Sequence, residues 1–348
     1  METDVVYEGN CIEQMKKIED NSIQCVVTSP PYWGLRDYGH AEQIGLEETP
    51  EKYVDDLVEV FSEVKRVLKD DGTIWLNLGD TYYSKGGASR HKGYSDPKYP
   101  NGRNGEFAEP QTAPHKFLKA KDLVGIPWRV AFALQERLGL YLRQAIIWHK
   151  PNAMPSSVTD RPSTDYEFIF LLSKSERYFY DADSIRQPHI WADKDSRSKK
   201  RRVEHKSGKS VEEDCQYGSV AVGYHPNGKN CRAVWSFNTQ PYPEAHFAVF
   251  PEELPERCIK AGTREGDIVL DIFAGSGTTL WVAKKLNRRF IGIELSSEYV
   301  SLINKRISQE TLHALEFTQA NSTSLSHNRN LKENSDEFPQ ILPLAELR

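Results

Sequence analysis

A stiff, aromatic loop follows the first strongly apolar run of the chain, Cys25-Val26-Val27. It reads Ser29-Pro30-Pro31-Tyr32, and neither proline can donate a backbone hydrogen bond. Each proline also favours extended geometry in the residue before it. The loop therefore combines carbonyl oxygens that no strand uses with a flat ring, which suits the binding of a flat polar ligand. A rigid turn with a core aromatic is the usual explanation for such residues taken alone.

A glycine-rich turn lies near the other end of the chain, between an apolar strand and an amphipathic helix. Glycines let a backbone approach a ligand, and the helix N-terminus then faces that ligand. A phosphate loop would need a lysine here and a dinucleotide fold a third glycine, and the turn has neither. S-adenosylmethionine has no phosphate but needs an acid for its ribose, and Glu294 ends the next predicted strand, 23 residues after Asp271. A plain strand–helix turn competes with all three. The turn comprises Phe273, Ala274, Gly275, Ser276, Gly277, Thr278 and Thr279.

Alternating strand and helix patterns must position these two loops. Thr49 and Pro50 suit the N-cap and first residue of a helix whose apolar residues recur at helical spacing through Leu68. Further patterns predict strands over 73–78, 141–148, 166–172, 267–273 and 289–294, and a hairpin that pairs 178–180 with 166–172. They also predict a helix over 127–138, a helix from the end of the glycine-rich turn at Thr279 to Leu286, and a helix capped by Ser296 or Ser297 that runs to about Ser308. This alternation predicts a doubly wound α/β sheet, in which both loops lie at strand carboxyl ends.

The composition is that of an ordinary globular protein, with 38% apolar and 27% charged residues. No apolar run has the length of a membrane span and no signal peptide opens the chain, so we expect a cytoplasmic protein. The five scattered cysteines predict no disulfide framework, and none follows a proline, so no thiol is a candidate for attack on a pyrimidine ring. His205, Cys215, His225 and Cys231 fit no zinc-finger spacing, and we expect no metal.

The net charge of −5 gives no case for nucleic acid, but the charge distribution does. Residues 84–121 hold eight Lys/Arg against three acidic residues, and residues 194–232 hold ten against five. Such basic loops are typical of a surface that contacts the phosphate backbone of nucleic acid, although flexible solvated loops explain either stretch equally well. From Leu312 the chain turns polar, which predicts a loose tail.

Taken together, the two loops resemble the paired motifs of the amino-methylating DNA methyltransferases. In that family (D/N/S)-P-P-(Y/F) is the catalytic loop and F-x-G-x-G is the cofactor loop. This chain has the catalytic motif first and basic segments in between, which is similar to the beta-group permutation. The resemblance covers residues 5–310. It implies a circularly permuted Rossmann-like α/β fold with a mostly parallel sheet, an antiparallel hairpin and an inserted DNA-recognition region.

The resemblance implies S-adenosylmethionine as cofactor. Relatives commonly carry Gly-Asp where this chain has Gly9-Asn10, and that acid is assigned to the adenine amino group of the cofactor. The amide oxygen of Asn10 can still accept such a hydrogen bond, while Glu294 would accept from the ribose hydroxyls. The implied cofactor-binding residues are Asn10, Asp271, Phe273, Ala274, Gly275, Ser276, Gly277, Thr278, Thr279 and Glu294.

The implied catalytic residues are Ser29, Pro30, Pro31 and Tyr32. The exocyclic amino group of a base is a poor nucleophile because its lone pair is delocalised into the ring. Hydrogen-bond acceptors at the Ser29 hydroxyl and the Pro30 carbonyl would localise that lone pair on the nitrogen. Tyr32 would stack on a flipped-out base, and Trp33 would extend this aromatic stacking surface. In the family, Ser at the first position goes with cytosine N4 and Asp or Asn with adenine N6. Ser29 therefore favours cytosine N4, with adenine N6 as the alternative.

We predict a catalytic domain over 1–312, with a catalytic half at 1–180, a cofactor half at 241–312, an insertion at 83–117 and a target-recognition region at 181–240. Residues 313–348 would form the polar tail. The expected partners are double-stranded DNA and a cognate restriction endonuclease, with the chain a monomer or a homodimer and no membrane. The predicted DNA contacts are Arg186, Lys199, Lys200, Arg201, Arg202 and Arg232.

Three alternative classes stay open. Protein-glutamine and RNA-adenine methyltransferases also use a Pro-Pro-Tyr loop, but their glycine loop precedes it in the chain. A non-catalytic DNA-binding relative would not need the intact Ser29, Tyr32, Gly275 and Glu294. A nicotinamide oxidoreductase would leave the Pro-Pro-Tyr loop without a role.

Overall fold

The computed structural model describes residues 1–83, 115–188, 225, 227–239 and 250–308. The strands are β1 (Val5–Glu8), β2 (Ile23–Thr28), β3 (Leu68–Leu78), β4 (Tyr141–His149), β5 (Tyr166–Ser173), β6 (Val234–Ser236), β7 (Ile268–Asp271) and β8 (Arg289–Glu294). The helices are α1 (Cys11–Met15), α2 (Pro50–Val67), α3 (Ile126–Leu138), α4 (Glu253–Gly262), α5 (Thr278–Lys285) and α6 (297–308). In these ranges no helix combines the length and apolarity that crossing a bilayer requires.

The eight strands form one sheet in the order β1-β8-β7-β2-β3-β5-β4-β6. β1, β8, β7, β2 and β3 are mutually parallel, β5 runs antiparallel to both β3 and β4, and β6 adds parallel to β4. The doubly wound α/β architecture is therefore confirmed. Both predicted halves of the chain contribute strands to this sheet, while the domain bounds themselves stay a prediction.

The hairpin predicted between 166–172 and 178–180 is wrong. β5 already has β3 on one side and β4 on the other, so neither of its edges is free for a further strand. The chain leaves the sheet after Ser173, and the amide of Phe179 donates to the carbonyl of Asp71 (2.8 Å). The antiparallel hairpin of the fold is instead β4–β5.

Alternate residues of the strands enter two hydrophobic cores, one on each face of the sheet. On one face Val26 and Leu270 pack against α1, α2 and α3, and on the other Val27 and Val269 pack against α4, α5 and α6. This follows from the two-residue period of a strand. The predicted start of α2 is confirmed, since the Thr49 hydroxyl accepts a hydrogen bond from the amide of Lys52 (3.2 Å).

The direction of winding changes between β7 and β2. After β7 the chain passes through α5 on one face to β8, and after β2 it passes through α2 on the opposite face to β3. The loops that follow β7 and β2 therefore diverge and leave a crevice at the carboxyl ends of the strands, which is where doubly wound sheets bind ligands.

Candidate active site

The two loops singled out by sequence leave adjacent strands at this crevice. At the end of β2 the hydroxyl of Thr28 donates to Asp271 Oδ1 at the end of β7, over 2.7 Å. The Thr279 hydroxyl at the start of α5 donates to the carbonyl of Val27 (3.4 Å). All these groups are buried, so the bonds fix the two loops relative to each other. The structure thus brings residues from opposite ends of the chain to one edge of the sheet.

The first loop is fixed at its second proline. The hydroxyl of the fully buried Tyr53, on α2, donates to the carbonyl of Pro31 (2.8 Å). Among the residues that the structure describes, no donor bonds to the carbonyl of Pro30. The loop therefore presents one carbonyl in a fixed position, as the two prolines predict, and this carbonyl keeps its capacity to accept.

Tyr32 is held at both its ring and its hydroxyl. The ring lies against Gly79, where a Cβ would approach Tyr32 Cε2 to 2.6 Å. The hydroxyl donates to Glu167 Oε2 (2.9 Å), lies 3.3 Å from Asn77 Oδ1, and accepts from the hydroxyl of Ser29 (3.4 Å). Burial, with the Glu167 charge, raises the pKa of Tyr32 well above its usual value, so the phenol stays protonated. The ring is therefore preorganised as one wall of the crevice.

The glycine turn contains residues that face the crevice and residues that support the turn. Gly275 has φ +52°, and a Cβ there would meet only the carbonyl of Phe273, at 3.9 Å, so the backbone borders open space. In contrast, Gly277 packs against Ile303, and Arg306 donates to the Ser276 carbonyl (3.2 Å) and the Thr278 hydroxyl (3.1 Å). Ala274, Ser276, Thr278 and Thr279 are buried, so their side chains stabilise the turn.

Glu294 closes the side of the crevice that is formed by the glycine turn. One carboxylate oxygen accepts from the Gly275 amide (2.7 Å) and the other from the Ser296 amide (2.9 Å). Burial raises the pKa of Glu294, and these backbone donors oppose the rise. Each oxygen keeps a lone pair that can accept from a ligand hydroxyl. An acid, an open glycine backbone and a fixed ring-and-carbonyl loop thus share one edge of the sheet.

A family model described as DNA methylase (N6_N4_Mtase) matches residues 23–305 of the chain. The chain belongs to this DNA methylase family. It is 44% identical over 315 residues to the Type II methyltransferase M.Cfr9I of Citrobacter freundii, which covers 90% of this chain and 91% of that protein. It is 46% identical over 302 residues to M.SmaI of Serratia marcescens, with coverage of 87% and 90%.

Solved structures show the same fold. The PvuII DNA methyltransferase, described as cytosine-N4-specific, aligns with a TM-score of 0.56 at 21% identity over 87% of this chain and 86% of that one. TTHA0409 of Thermus thermophilus, described as a DNA modification methylase, aligns with a TM-score of 0.53 at 22% identity over 88% and 95%. The Rossmann-like methyltransferase fold inferred from the two motifs is therefore confirmed for this methylase.

Asn10 of the methylase caps a helix. Its side-chain oxygen accepts from the amides of Ile12 (3.0 Å) and Glu13 (3.4 Å), at the start of α1. Asn10 nevertheless lies beside the ligand edge, because the amide of Gly9 donates to the carbonyl of Glu294 (2.9 Å). Because both lone pairs of this oxygen are engaged, only the side-chain NH₂ group of Asn10, which can donate but not accept, remains for a ligand. The acceptor role predicted for Asn10 therefore needs its helix cap to break.

Trp33 does not extend the stacking wall. Its side chain is 7% exposed within the core beneath α2, and its indole N–H donates to the carbonyl of Glu47 (2.9 Å). The adjacent segment 34–45 is closed by a hydrogen bond from the Gly34 amide to the Gly45 carbonyl (2.8 Å). Within it, Tyr38 lies near Glu294: burial raises the pKa of Tyr38, and the Glu294 charge adds to this rise. Segment 34–45 thus borders the donor side of the methylase crevice, which its sequence did not indicate.

The predicted DNA contacts fall into three groups. The guanidinium of Arg186 is engaged within the protein, where it donates to Asp183 (2.6 Å), Asn230 (2.8 Å) and the Gly228 carbonyl (3.1 Å). Arg186 therefore joins the two described ends of the 181–240 segment, and these contacts argue against the predicted DNA contact. Arg232 is exposed and stays a candidate. Lys199, Lys200, Arg201 and Arg202 lie outside the described residues, as does most of the 83–117 insertion.

Sequence reasoning missed the residues that hold Tyr32. Glu167, Asn77 and Gly79 come from β5, from β3 and from the residue after β3, and they converge on one phenol. A weak signal is present in the sequence, because Asn77 and Glu167 are polar residues within the apolar runs 74–78 and 166–172. Their convergence depends on β3 and β5 being neighbours in the sheet, which no local pattern specifies.

Gly79→Ala is expected to impair methyl transfer while leaving methyl-donor binding intact. The new methyl group would lie 2.6 Å from the Tyr32 ring, so the ring must move, whereas the Gly275 and Glu294 side of the crevice is untouched. We expect kcat to fall by about 10-fold or more, since small misplacements of a positioned group have large effects. Single-turnover methylation and donor titration of the same preparation measure the two properties. Weakened donor binding with unchanged transfer would contradict this placement of Tyr32.

Asp271→Asn is expected to change how stability depends on pH. Burial raises the pKa of Asp271 from 3.8 to about 6, so the folded methylase binds this proton more tightly than the unfolded chain. The contribution of Asp271 to the free energy of unfolding therefore falls as pH rises from about 4 to about 6, and then levels off. Asn does not titrate, so the variant's free energy of unfolding lacks this pH dependence. From about pH 4 to about pH 6 the free energy of unfolding of the variant should rise relative to that of the wild type by up to about 3 kcal/mol. Urea unfolding of both proteins between these pH values tests this, and parallel curves would contradict it.

Proposed function

We propose that the protein transfers a methyl group from S-adenosylmethionine to the N4 amino group of a cytosine flipped out of duplex DNA. The observation that carries this proposal is the single edge of the sheet at which a fixed acceptor loop, Ser29 to Tyr32, meets an open glycine turn with an acid, Gly275 and Glu294. Family membership supplies the reaction class, DNA methylation.

The donor side of the crevice fits S-adenosylmethionine. When bound, this molecule supplies an electrophilic methyl group on a sulfonium centre. The backbone at Gly275 leaves room for a ligand, and the carboxylate of Glu294 can accept from two ribose hydroxyls while it keeps its backbone donors. These residues hold and orient the donor, which makes proximity a main part of catalysis.

The acceptor side fits the amino group of a base. The carbonyl of Pro30 and the hydroxyl oxygen of Ser29 would each accept one N–H of that group, which localises the nitrogen lone pair, and Tyr32 would stack on the ring. Transfer would form the nitrogen–carbon bond as the carbon–sulfur bond breaks, and the nitrogen would then lose one proton to water. S-adenosylhomocysteine and the methylated base are the products.

Cytosine N4 is proposed over adenine N6 because the first position of the loop is Ser29, as in the N4 members of the family that the sequence resembles. Digestion of methylated duplex DNA to nucleosides, followed by mass spectrometry, decides between them. We expect N4-methylcytosine. N6-methyladenine would overturn the choice of base but keep the reaction class, and no methylated nucleoside would overturn the function as a whole.

We further propose that the protein acts in a restriction–modification system and protects sites from a cognate endonuclease, since the relatives M.Cfr9I and M.SmaI are named Type II methyltransferases. Methylation-sensitive sequencing of DNA from cells that express the chain would report the base and the target sequence together. That DNA should resist an endonuclease of the same sequence specificity, and cleavage at the methylated sites would contradict the protective role.

A further inference from the structure

Glu167 lies at the start of β5, on the same edge of the sheet as the catalytic loop. Its side chain is only 17% exposed, and three donors meet it. Oε2 accepts from the hydroxyl of Tyr32 (2.9 Å) and the amide of Asn77 (3.2 Å), and Oε1 forms an ion pair with the ammonium of Lys150. Lys150 is itself 18% exposed and lies 4.2 Å from the centre of the Trp148 ring. A half-buried ion pair thus stands directly behind the catalytic loop.

These partners set the direction of a short chain of hydrogen bonds. A carboxylate paired with an ammonium accepts hydrogen bonds and does not donate them, so any hydrogen bond between Tyr32 and Glu167 has the Tyr32 hydroxyl as its donor. Asn77 Oδ1 competes for that proton, but it is neutral and farther away, at 3.3 Å against 2.9 Å, and a charged acceptor makes the stronger bond. The Tyr32 oxygen is then an acceptor for the Ser29 hydroxyl, 3.4 Å away.

The direction of this chain matters at Ser29. A hydroxyl that donates its proton to Tyr32 keeps its oxygen lone pairs for another partner, whereas a hydroxyl that accepts from Tyr32 would point its proton outward. The proposed transfer needs an acceptor at Ser29, because the amino group of the target base has only N–H bonds to offer.

We infer that Glu167 is a positioning residue for methyl transfer: through the Tyr32 hydroxyl it orients the Ser29 hydroxyl so that the Ser29 oxygen accepts from the target amino group. This rests on the proposed function of the Ser29–Tyr32 loop. Glu167 touches neither base nor donor in this role, and its other carboxylate oxygen is paired with the ammonium of Lys150. The same arrangement serves cytosine N4 and adenine N6 alike.

A double-mutant cycle between Glu167→Gln and Tyr32→Phe tests the inference. Phe keeps the stacking ring and removes the hydroxyl, while Gln keeps the shape of Glu167 and removes its charge. Each single variant should lower kcat for duplex DNA by about 100-fold, as for loss of one preorganised polar group, with KM for DNA and donor affinity within about twofold of wild type. The double variant should be no slower than the slower single variant, because Glu167 acts only through the Tyr32 hydroxyl.

Asp165→Asn is the matched control, since Asp165 lies two residues away at the same edge but faces His149 (3.7 Å), with half of its side chain exposed. It should transfer methyl groups at the wild-type rate. If Glu167→Gln alone does not fold, Lys150→Met with Glu167→Gln removes both charges and takes its place in the same cycle.

Two results would overturn the inference: a Glu167→Gln variant with wild-type kcat, or a double variant whose losses multiply. Either result would leave the proposed function standing, since that function is judged on the methylated nucleoside made by the wild-type protein. Absence of any product from the wild type would instead remove the proposed function.

Discussion

Tyr32→Ala should lower kcat/KM for duplex DNA by about 10³-fold. Stacking of a base on an aromatic ring contributes about 1–3 kcal/mol, and loss of a preorganised polar group costs roughly a further 100-fold. The substitution removes both, because in the proposed function the Tyr32 ring stacks on the base and its hydroxyl, which bonds to Ser29 and Glu167, orients Ser29. Affinity for S-adenosylmethionine should change little, since Gly275 and Glu294 lie on the other side of the crevice. Rapid-quench methylation with labelled donor, paired with calorimetric titration, separates the two quantities.

Tyr141→Ala is the matched control for this prediction. Tyr141 begins β4, so it lies at the opposite edge of the sheet from the crevice, and 42% of it is exposed. It should retain wild-type transfer. Normal turnover by Tyr32→Ala, with the Tyr141 variant equally active, would refute the stacking role of Tyr32.

Glu294→Ala should weaken binding of S-adenosylmethionine by about 100-fold. A hydrogen bond to a charged acceptor contributes about 1.5–3 kcal/mol, and in the proposed function the carboxylate accepts from the ribose hydroxyls. The variant also frees the amides of Gly275 and Ser296, which loosens the glycine turn. Glu294→Gln keeps an acceptor oxygen and should lie between the variant and the wild type. Calorimetry with the unreactive product S-adenosylhomocysteine measures affinity without turnover.

Glu265→Ala serves as the control here, because Glu265 is an exposed carboxylate in the loop before β7. It should bind the donor as tightly as the wild type. DNA affinity measured in the absence of S-adenosylmethionine should be equal for the wild type and for the Glu294 and Glu265 variants. An unchanged donor affinity for Glu294→Ala would remove this residue from the ribose site and move the search to segment 34–45, which borders Glu294.

Much of this architecture could be predicted because its signals are local. Proline removes a donor, glycine permits positive φ, and strands and helices bury residues with periods of 2 and 3.6, so each pattern acts within a few residues of its origin. This is why the start of α2 at Thr49, the strand before Gly275 and the helix after Ser296 were correctly predicted. The rule that parallel strands present their carboxyl ends at one edge then placed Ser29 and Glu294 together.

The failures concern which segments become neighbours. The predicted hairpin at 178–180 is wrong because β5 has a neighbouring strand on both sides. Trp33 lies in the core and not in the crevice, because its indole N–H donates to the Glu47 carbonyl beneath α2. Arg186 was expected to meet DNA, but nearby acidic and carbonyl groups already engage it. Whether a side chain lies in solvent, in the core or against a hydrogen-bonding partner depends on how the surrounding helices and strands pack.

The order of the elements and the chemical content of both loops thus follow from residue types and their short spacings along the chain. Tertiary structure alone decided that Glu167, Asn77 and Gly79 meet at Tyr32, and that Thr28 bonds Asp271. These contacts could not be predicted because strand order in a sheet is a non-local property. It is set by the summed packing of two cores, and hydrogen-bond partners far apart in the chain become specific only once that order exists.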